Sequence, residues 1–124
     1  MFFTEGRRVR VTHLRIERSP RLRRLYFSTR QEPILCDMCF CNTSARYPWT
    51  SNLLEIHHLL PLSSTLSITT QGTSLADIVA LCPTCHKSVH AYYRNWLNQK
   101  RVDDFCSTDE AREVYQQVKR EIQL

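Results

Sequence analysis

Two Cys-x-x-Cys pairs, far apart in the chain, constrain its fold more than any other feature. The pairs are Cys36/Cys39 and Cys82/Cys85, with 42 residues between Cys39 and Cys82. Each pair is typical of a tight knuckle, and two knuckles supply the four thiolates of a tetrahedral structural zinc site. A chain of 124 residues buries only a modest core, so folding energy from a metal is expected to matter. The sequence therefore predicts that two distant segments meet at one zinc ion.

Two further cysteines, Cys41 and Cys106, fall outside these pairs. Cys41 could compete with Cys39 as a ligand, but Cys39 gives the regular spacing. Phe40 occupies the position after the second cysteine, where a knuckle often has glycine. Zinc sites of this type also serve as scaffolds or as grips for nucleic acid, so the cysteines alone do not indicate catalysis.

Four of the five histidines fall into two tight groups. His57 and His58 are adjacent in the mostly apolar segment 53–60, which is typical of a strand. His86 and His90 are four residues apart, so on a helix they share one face. Three neutral imidazoles can bind a divalent metal while a fourth acts as a general base, and phosphodiester hydrolysis needs both functions.

The helix that carries the second histidine group should begin between Pro83 and His86 and run to about Asn98. Cys85 directly precedes His86, so a zinc knuckle would anchor the start of this helix and hold the histidines rigid. His13 stands apart from both groups, and we expect no ligand role for it.

The first histidine group raises a geometric question. Adjacent residues of a regular strand point to opposite faces, so His57 and His58 converge only near a strand end or bend. Pro61 limits the strand and favours such an end. Glu55 shares a strand face with His57, and we expect it to accept a hydrogen bond from the non-ligating nitrogen of His57.

Positive charge is concentrated near the N-terminus of a chain whose net charge is +5. Nine arginines lie between Arg7 and Arg30, against the single acid Glu17. This pattern favours a polyanionic partner, nucleic acid first, although a solvated arginine face is the plainer alternative. The arginines expected to contact nucleic acid are Arg21, Arg23, Arg24 and Arg30.

The remaining elements can be predicted from caps and periodicity. A short basic helix should run from about 20 to 30, capped by Ser19 with Pro20 at its first position. A second strand is expected at 78–81, and a last helix from Ser107 to about Glu121, opened by a capping box with Glu110. Residues 42–52 and 63–74 are predicted to be loops. The alternating apolar residues Val9, Val11, Leu14 and Ile16 indicate an N-terminal strand or extended arm.

No apolar run is long enough to span a membrane and no secretory signal is visible, which favours a cytoplasmic protein. We divide the chain into a basic N-terminal arm (1–17), a central domain with the zinc knuckles (18–98), and a C-terminal helix packed on it (99–124).

The segments Glu55–Leu62 and Asp77–His86, followed by His90, closely resemble the signature of the HNH (ββα-metal) endonucleases. More narrowly, the chain is similar to the zinc-containing HNH domains of modification-dependent bacterial restriction enzymes, over roughly residues 18–92. The resemblance implies an α+β fold, a small ββα-metal nuclease domain with a four-cysteine structural zinc and flanking helices. It also implies a restriction or phage-defence role.

The resemblance implies a role for each matching residue. His58 resembles the general base, and His57 and His86 resemble the ligands of a catalytic metal. His90 matches a further histidine ligand of the colicin-type nucleases. Glu55 matches an acid that orients a ligand.

The resemblance also covers Asp77, which stands where the family name expects Asn and would brace the loop between the strands through backbone hydrogen bonds. An aspartate accepts such bonds but cannot donate them, although related restriction domains also have Asp there. The product would carry a 5′-phosphate and a 3′-hydroxyl.

The expected cofactors are Zn²⁺ at the cysteines and Mg²⁺, Mn²⁺ or another divalent transition metal at the histidines. The expected partner is double-stranded DNA, without membrane contact, and with a further specificity domain or a homodimer as options. Three alternatives stay open: a non-catalytic zinc-dependent DNA-binding module, a nuclease toxin or effector domain, and a nuclease directed at RNA.

Overall fold

The computed structural model of the chain describes residues 1–12, 18–66 and 73–123. In these ranges the protein is α+β, with one two-stranded antiparallel sheet and four α-helices. The elements in chain order are α1 (Pro20–Ser28), α2 (Thr43–Arg46), β1 (Glu55–His58), β2 (Ile78–Leu81), α3 (Pro83–Lys100) and α4 (Thr108–Ile122). The predicted fold class is confirmed.

Helix α1 begins as the sequence predicts. Ser19 Oγ accepts a hydrogen bond from the backbone N–H of Leu22 at 3.2 Å, and Pro20 occupies the first turn. The helix ends at Ser28, two residues before the predicted end. The buried Tyr26 docks α1 on the sheet, because its hydroxyl accepts a hydrogen bond from the N–H of Ala80 at 3.1 Å.

Strand β1 is shorter than predicted, whereas strand β2 has the predicted length. Glu55 pairs with Leu81, and His58 pairs with Ile78. Beyond the ladder, the N–H of Leu59 donates to the carbonyl oxygen of Asp77 at 2.9 Å, and the chain then bends. His58 is therefore the last residue of β1, at a strand end.

Helix α3 starts at the second cysteine pair and packs beneath the sheet. Cys82 is its N-cap, with Sγ accepting from the N–H of Cys85 at 3.5 Å, and Pro83 follows in the first turn. The helix runs two residues past the predicted end and stops at Arg101, which adopts a left-handed conformation with φ 58°.

Helix α4 packs on the same core as α3. Ser107 Oγ accepts from the N–H of Glu110 at 3.1 Å, which is half of the predicted capping box. The Glu110 carboxylate accepts from the N–H of Cys106 at 2.9 Å, one residue before the expected donor. The apolar face of the helix is almost completely buried, through Ala111, Val114, Tyr115 and Val118.

Some sequence-based expectations concern loops and the N-terminus. The predicted loop 42–52 contains the short helix α2, because Asn42 Oδ1 caps it by accepting from the N–H of Ala45 at 3.0 Å. Residues 1–12 have no helix or strand. His13, Leu14 and Ile16, and the middle of the predicted loop 63–74, lie outside the described residues. The three-part division of the chain stays a prediction.

None of the helices in the described ranges has the length and apolar character that a membrane crossing requires.

Candidate metal centres and active site

The two Cys-x-x-Cys pairs converge into one cluster. The Sγ atoms of the four cysteines all lie within 4.8 Å of one another, and the group consists of Cys36, Cys39, Cys82 and Cys85. Cys39 Sγ and Cys82 Sγ are 3.9 Å apart. Tetrahedral zinc with Zn–S bonds of about 2.3 Å places its sulfurs about 3.8 Å apart. The cluster could therefore hold zinc with little rearrangement.

A tight turn presents the first pair. The N–H of Phe40 donates to the carbonyl oxygen of Cys36 at 2.9 Å, and the N–H of Cys36 donates to the carbonyl oxygen of Cys41 at 3.1 Å. Phe40 has φ 61°, the left-handed conformation for which glycine is preferred. Its ring is 57% exposed, so packing does not offset the strain.

Cys41 lies beside the cluster but is not one of its four members. Burial and a hydrogen bond with Cys39 raise the pKa of Cys41 to about 12. The four-thiol group includes Cys39 and not Cys41, which agrees with Cys39 as the ligand. Cys106 is exposed and belongs to neither metal cluster.

Three of the histidines form a second cluster. One ring nitrogen of each of His57, His86 and His90 lies within 4.8 Å of the others. The Nε2 atoms of His86 and His90 are only 3.2 Å apart, because the two residues are one turn apart on α3. His57 enters from β1 and is completely buried. Helix period and strand pairing together bring these three side chains to one point.

The buried imidazole of His57 has one nitrogen without a protein partner. Its Nε2 lies 3.0 Å from the hydroxyl of Tyr93, whereas its Nδ1 is buried and makes no hydrogen bond. A buried polar atom left unsatisfied costs about 1–3 kcal/mol. A metal ion bound between the three imidazoles would satisfy this atom, so the residues present fit a divalent cation.

Burial also favours the neutral imidazoles that a metal requires. Burial lowers the pKa of His57 well below its usual value, and the nearby His90 and His86 lower it further. Burial likewise lowers the pKa of His90, with a contribution from His86. Neutral imidazoles offer a free lone pair at neutral pH.

Glu55 contacts a different histidine from the one expected. Its Oε1 lies 2.9 Å from Nδ1 of His86, not beside His57. The strand register explains this, because Glu55 pairs with Leu81 and therefore lies next to the beginning of α3. A carboxylate at this distance holds a proton on Nδ1 and leaves Nε2 of His86 for a metal.

His58 faces a cleft rather than the interior. It is half-buried, and it lines this cleft together with Arg18, His86 and His90. Burial lowers the pKa of His58, and the positive charge of Arg18 lowers it further. The adjacent His57 is buried on the other side of the strand, so the pair divides between the core and the cleft. A neutral imidazole in this cleft can accept a proton.

The side chain of Asp77 contacts α4. Its Oδ1 accepts from Nη2 of Arg112 at 2.5 Å and from Nε of Arg112 at 3.2 Å. Its Oδ2 lies 3.4 Å from Ser74 Oγ. These partners, a cation and a hydroxyl, suit a carboxylate better than an amide. Much of the loop that Asp77 would brace lies outside the described residues, so that role stays a prediction.

Two of the four arginines predicted to bind nucleic acid make contacts within the fold. Arg23 donates to a backbone carbonyl oxygen just before β1 at 3.1 Å. The guanidinium of Arg30 lies 3.6 Å from the centroid of the Tyr26 ring. Arg21 and Arg24 are both exposed on the same short helix. A role in DNA binding stays a prediction for all four.

Three residues of the site were not singled out from the sequence. Tyr93 follows His86 and His90 on the same helical face, and this spacing was a signal that could have identified it. Arg18 belongs to the basic segment, but nothing in the sequence distinguished it from its neighbours. Tyr115 stacks on His57 with ring centroids 5.4 Å apart, a contact that depends on how α4 docks.

A β-hairpin followed by a helix, with histidines from both converging on one point beside a four-cysteine cluster, defines a ββα-metal domain. Comparison with known proteins agrees. Residues 36–92, a little under half of the chain, match the family model described as HNH endonuclease. The resemblance seen in the sequence is confirmed.

A relative supports a narrower similarity. The type IV methyl-directed restriction enzyme EcoKMcrA of Escherichia coli (strain K12) is 38% identical to this chain over 61 residues. The alignment covers 49% of this chain and 20% of that enzyme, so the two share one segment. None of the solved structures matches the chain.

Proposed function

We propose that this chain is a metal-dependent DNA endonuclease that hydrolyses phosphodiester bonds with one divalent ion, and that it acts in restriction or phage defence. One observation carries the proposal. Within the segment that matches the HNH model, the imidazoles of His57, His86 and His90 meet at a single point. A fourth imidazole, that of His58, lines the cleft that His86 and His90 border.

The ion would be held by His57, His86 and His90. When bound, it supplies positive charge that stabilises a phosphoryl oxygen and the leaving oxygen of the scissile bond. Imidazole ligands favour Mn²⁺, Co²⁺, Ni²⁺ or Zn²⁺, whereas Mg²⁺ prefers oxygen ligands. The resemblance to HNH enzymes keeps Mg²⁺ among the ions to test.

His58 is the proposed general base. It is neutral at the pH at which the protein would work, because burial and Arg18 lower its pKa. It lies in the cleft and outside the ligand group, so its lone pair is free to take a proton from water. A general base of this kind accelerates a reaction by about 10²–10⁴-fold.

Arg18 is the proposed phosphate-binding residue. Its side chain lines the cleft with His58, His86 and His90, whereas the four arginines predicted from the sequence do not. A guanidinium can form two hydrogen bonds with a phosphate and neutralise charge that develops there. Arginines on α1 such as Arg21 and Arg24 would add affinity for the backbone without reading sequence.

The target specificity of such a domain would come from elsewhere. The aligned segment is one fifth of the restriction enzyme that it resembles. The ionisable groups that line the cleft are three imidazoles and one guanidinium, which suit a phosphodiester. We therefore propose that a further domain or a second copy selects the DNA site.

The test is cleavage of a supercoiled plasmid by the purified chain in the presence of Mg²⁺, Mn²⁺, Co²⁺ or Ni²⁺. We expect nicking or linearisation that EDTA abolishes and that His58→Ala reduces by at least about 100-fold. The matched control is His13→Ala, which removes a histidine outside both groups and should cut normally.

A His58→Ala protein that cuts at the wild-type rate would contradict the proposal. Failure to cut with every ion, while DNA still binds and zinc is retained, would favour a zinc-dependent DNA-binding module. A parallel RNA substrate distinguishes a DNA nuclease from one directed at RNA.

A further inference from the structure

Tyr93 lies next to the proposed ligand cluster and contacts one of its members. It is 3% exposed and sits on the face of α3 that carries His86 and His90. Its hydroxyl oxygen is 3.0 Å from Nε2 of His57.

This contact bears on which nitrogen of His57 is free. A neutral imidazole carries one proton, so one ring nitrogen donates and the other accepts. If the hydroxyl donates to Nε2, the proton sits on Nδ1, and Nδ1 cannot bind a cation. If Nε2–H donates to the hydroxyl oxygen, the lone pair of Nδ1 is exposed. Nδ1 is the buried ring nitrogen that has no protein partner.

We propose that Tyr93 is a positioning residue, which accepts a hydrogen bond from Nε2–H of His57 and thereby presents Nδ1 to the catalytic cation. The inference rests on the proposed function for the existence of that cation. It assigns to Tyr93 the role that Glu55 has for His86, where a carboxylate oxygen lies 2.9 Å from the nitrogen remote from the cluster. Each of these two ligands is then oriented through its second nitrogen.

Packing alone does not set the tautomer of His57. Tyr115 stacks on the imidazole at an interplanar angle of 23°, which holds the plane of the ring. Stacking does not distinguish Nδ1–H from Nε2–H, because both tautomers have the same shape. In the proposed arrangement the hydroxyl of Tyr93 favours the Nε2–H tautomer by accepting its hydrogen bond, and the Tyr93 ring keeps its own edge contact with Phe105 at 5.4 Å.

These contacts make Tyr93→Phe a clean variant, since it removes the hydroxyl and retains the ring. The matched control is Tyr92→Phe, which removes a hydroxyl from the neighbouring, half-buried tyrosine of the same helix. Both proteins are prepared with the cysteine zinc bound, and zinc content and melting temperature verify the fold. Titration with Mn²⁺ or Ni²⁺ then measures ion affinity directly, without any DNA.

We expect Tyr93→Phe to bind the added ion about 10- to 100-fold more weakly than wild type, while Tyr92→Phe binds normally. Equal affinity in all three proteins would overturn the proposal. The second readout uses the wild-type protein alone, so it holds even if the variant fails to fold. Long-range ¹H–¹⁵N spectra of the diamagnetic zinc-loaded form should show a proton on Nε2 of His57. A proton on Nδ1 would contradict the assignment.

The outcomes separate this inference from the nuclease proposal. If wild type binds the ion with the expected tautomer but cuts no DNA, the role of Tyr93 stands and the nuclease proposal fails. If wild type cuts DNA and Tyr93→Phe binds the ion equally well, the nuclease proposal stands and the role of Tyr93 fails.

Discussion

The cysteine cluster and the histidine cluster meet at the beginning of α3, yet they are built differently. Cys85 and His86 are consecutive residues, and each belongs to one cluster. The four cysteines are presented by a backbone turn and a helix cap, and they would complete a tetrahedral shell. The histidines would supply three ligands, and two of them, His86 and His90, border a cleft that also contains His58 and Arg18. A closed shell suits a structural ion, and an incomplete shell beside a cleft suits a catalytic one.

The two clusters also differ in what surrounds them. Two of the proposed histidine ligands contact groups that can orient an imidazole, Glu55 for His86 and Tyr93 for His57. The described neighbours of the cysteines are mainly the turn itself and the thiol of Cys41. If both ions bind as proposed, the first cluster needs only to hold two segments together, whereas the second must also fix the tautomers and proton positions of its ligands. The following changes, ordered by expected effect, test this division.

Loss of the cysteine cluster should have the largest effect. Cys82→Ser removes one of the four thiolates expected to hold zinc but keeps a side chain that can cap α3. Zinc binding at such sites contributes about 10–16 kcal/mol in small peptides, which is comparable with the whole stability of a domain. We expect the protein to lose its bound zinc and its helical circular dichroism at room temperature.

The control for this change is Cys106→Ser, which alters an exposed cysteine outside both clusters. It should leave zinc content and folding unchanged. A folded Cys82→Ser protein without zinc would show that the core is sufficient without the ion.

A change beside the histidine cluster should leave the fold intact and weaken binding of the proposed catalytic ion. Glu55→Gln removes the charge beside Nδ1 of His86. We expect about 10- to 100-fold weaker binding of Mn²⁺ by titration, with zinc content and melting temperature unchanged. The matched control is Glu113→Gln, an exposed acid on α4 that pairs with Arg120 at 3.2 Å. If Glu55→Gln binds Mn²⁺ as tightly as wild type, orientation of His86 does not depend on the carboxylate.

Tyr115 contacts a residue at each of the two clusters, so its substitution tests whether the clusters act independently. Its ring stacks on His57, and its hydroxyl donates to Oδ2 of Asp37, inside the first cysteine pair, at 2.5 Å. Tyr115→Phe keeps the ring and removes this bond. We expect a loss of about 1.5–3 kcal/mol in the free energy of unfolding, measured by urea denaturation.

The cleavage rate of folded Tyr115→Phe should equal that of wild type, since His57 keeps its stacking partner. Tyr115→Ala removes the ring as well and should also weaken ion binding. A Tyr115→Phe protein that is fully stable but cuts slowly would show that the hydrogen bond between Tyr115 and Asp37 affects the cleavage rate rather than the stability of the fold.

The smallest expected effect is a gain in stability at the knuckle. Phe40→Gly relieves a left-handed conformation at an exposed position. The strain of about 1–2 kcal/mol, less the entropy lost by glycine, leaves a gain of about 0.5–1 kcal/mol. Phe40→Ala is the control, because it removes the ring but keeps the Cβ, and it should give no gain. Cleavage should be unaffected by either change.

Local pattern was sufficient to predict much of the site. The cysteine pairs and the four-residue spacing of His86 and His90 depend only on turn and helix geometry, and the structure brings both groups together. The capping residues Ser19 and Ser107 correctly predicted where α1 and α4 begin, because a cap also depends only on local geometry. These are features in which interacting residues are close in the chain.

Features that depend on tertiary docking were not predictable in the same way. Glu55 was assigned to His57 from their shared strand face, but the pairing register places it beside His86. The contact between Asp77 and Arg112 exists only once α4 has docked. No periodicity in the sequence reports such distances between elements.

The central claim, one structural ion at the cysteines and one catalytic ion at the histidines, is tested most directly by counting metal while following cleavage. The purified chain is dialysed against EDTA, its metal content is measured, and plasmid cutting is assayed before and after Mn²⁺ is returned. We predict that dialysis abolishes cutting but leaves one zinc per folded chain, and that Mn²⁺ restores cutting. Cutting that persists in the dialysed protein with only the cysteine zinc bound would contradict the account.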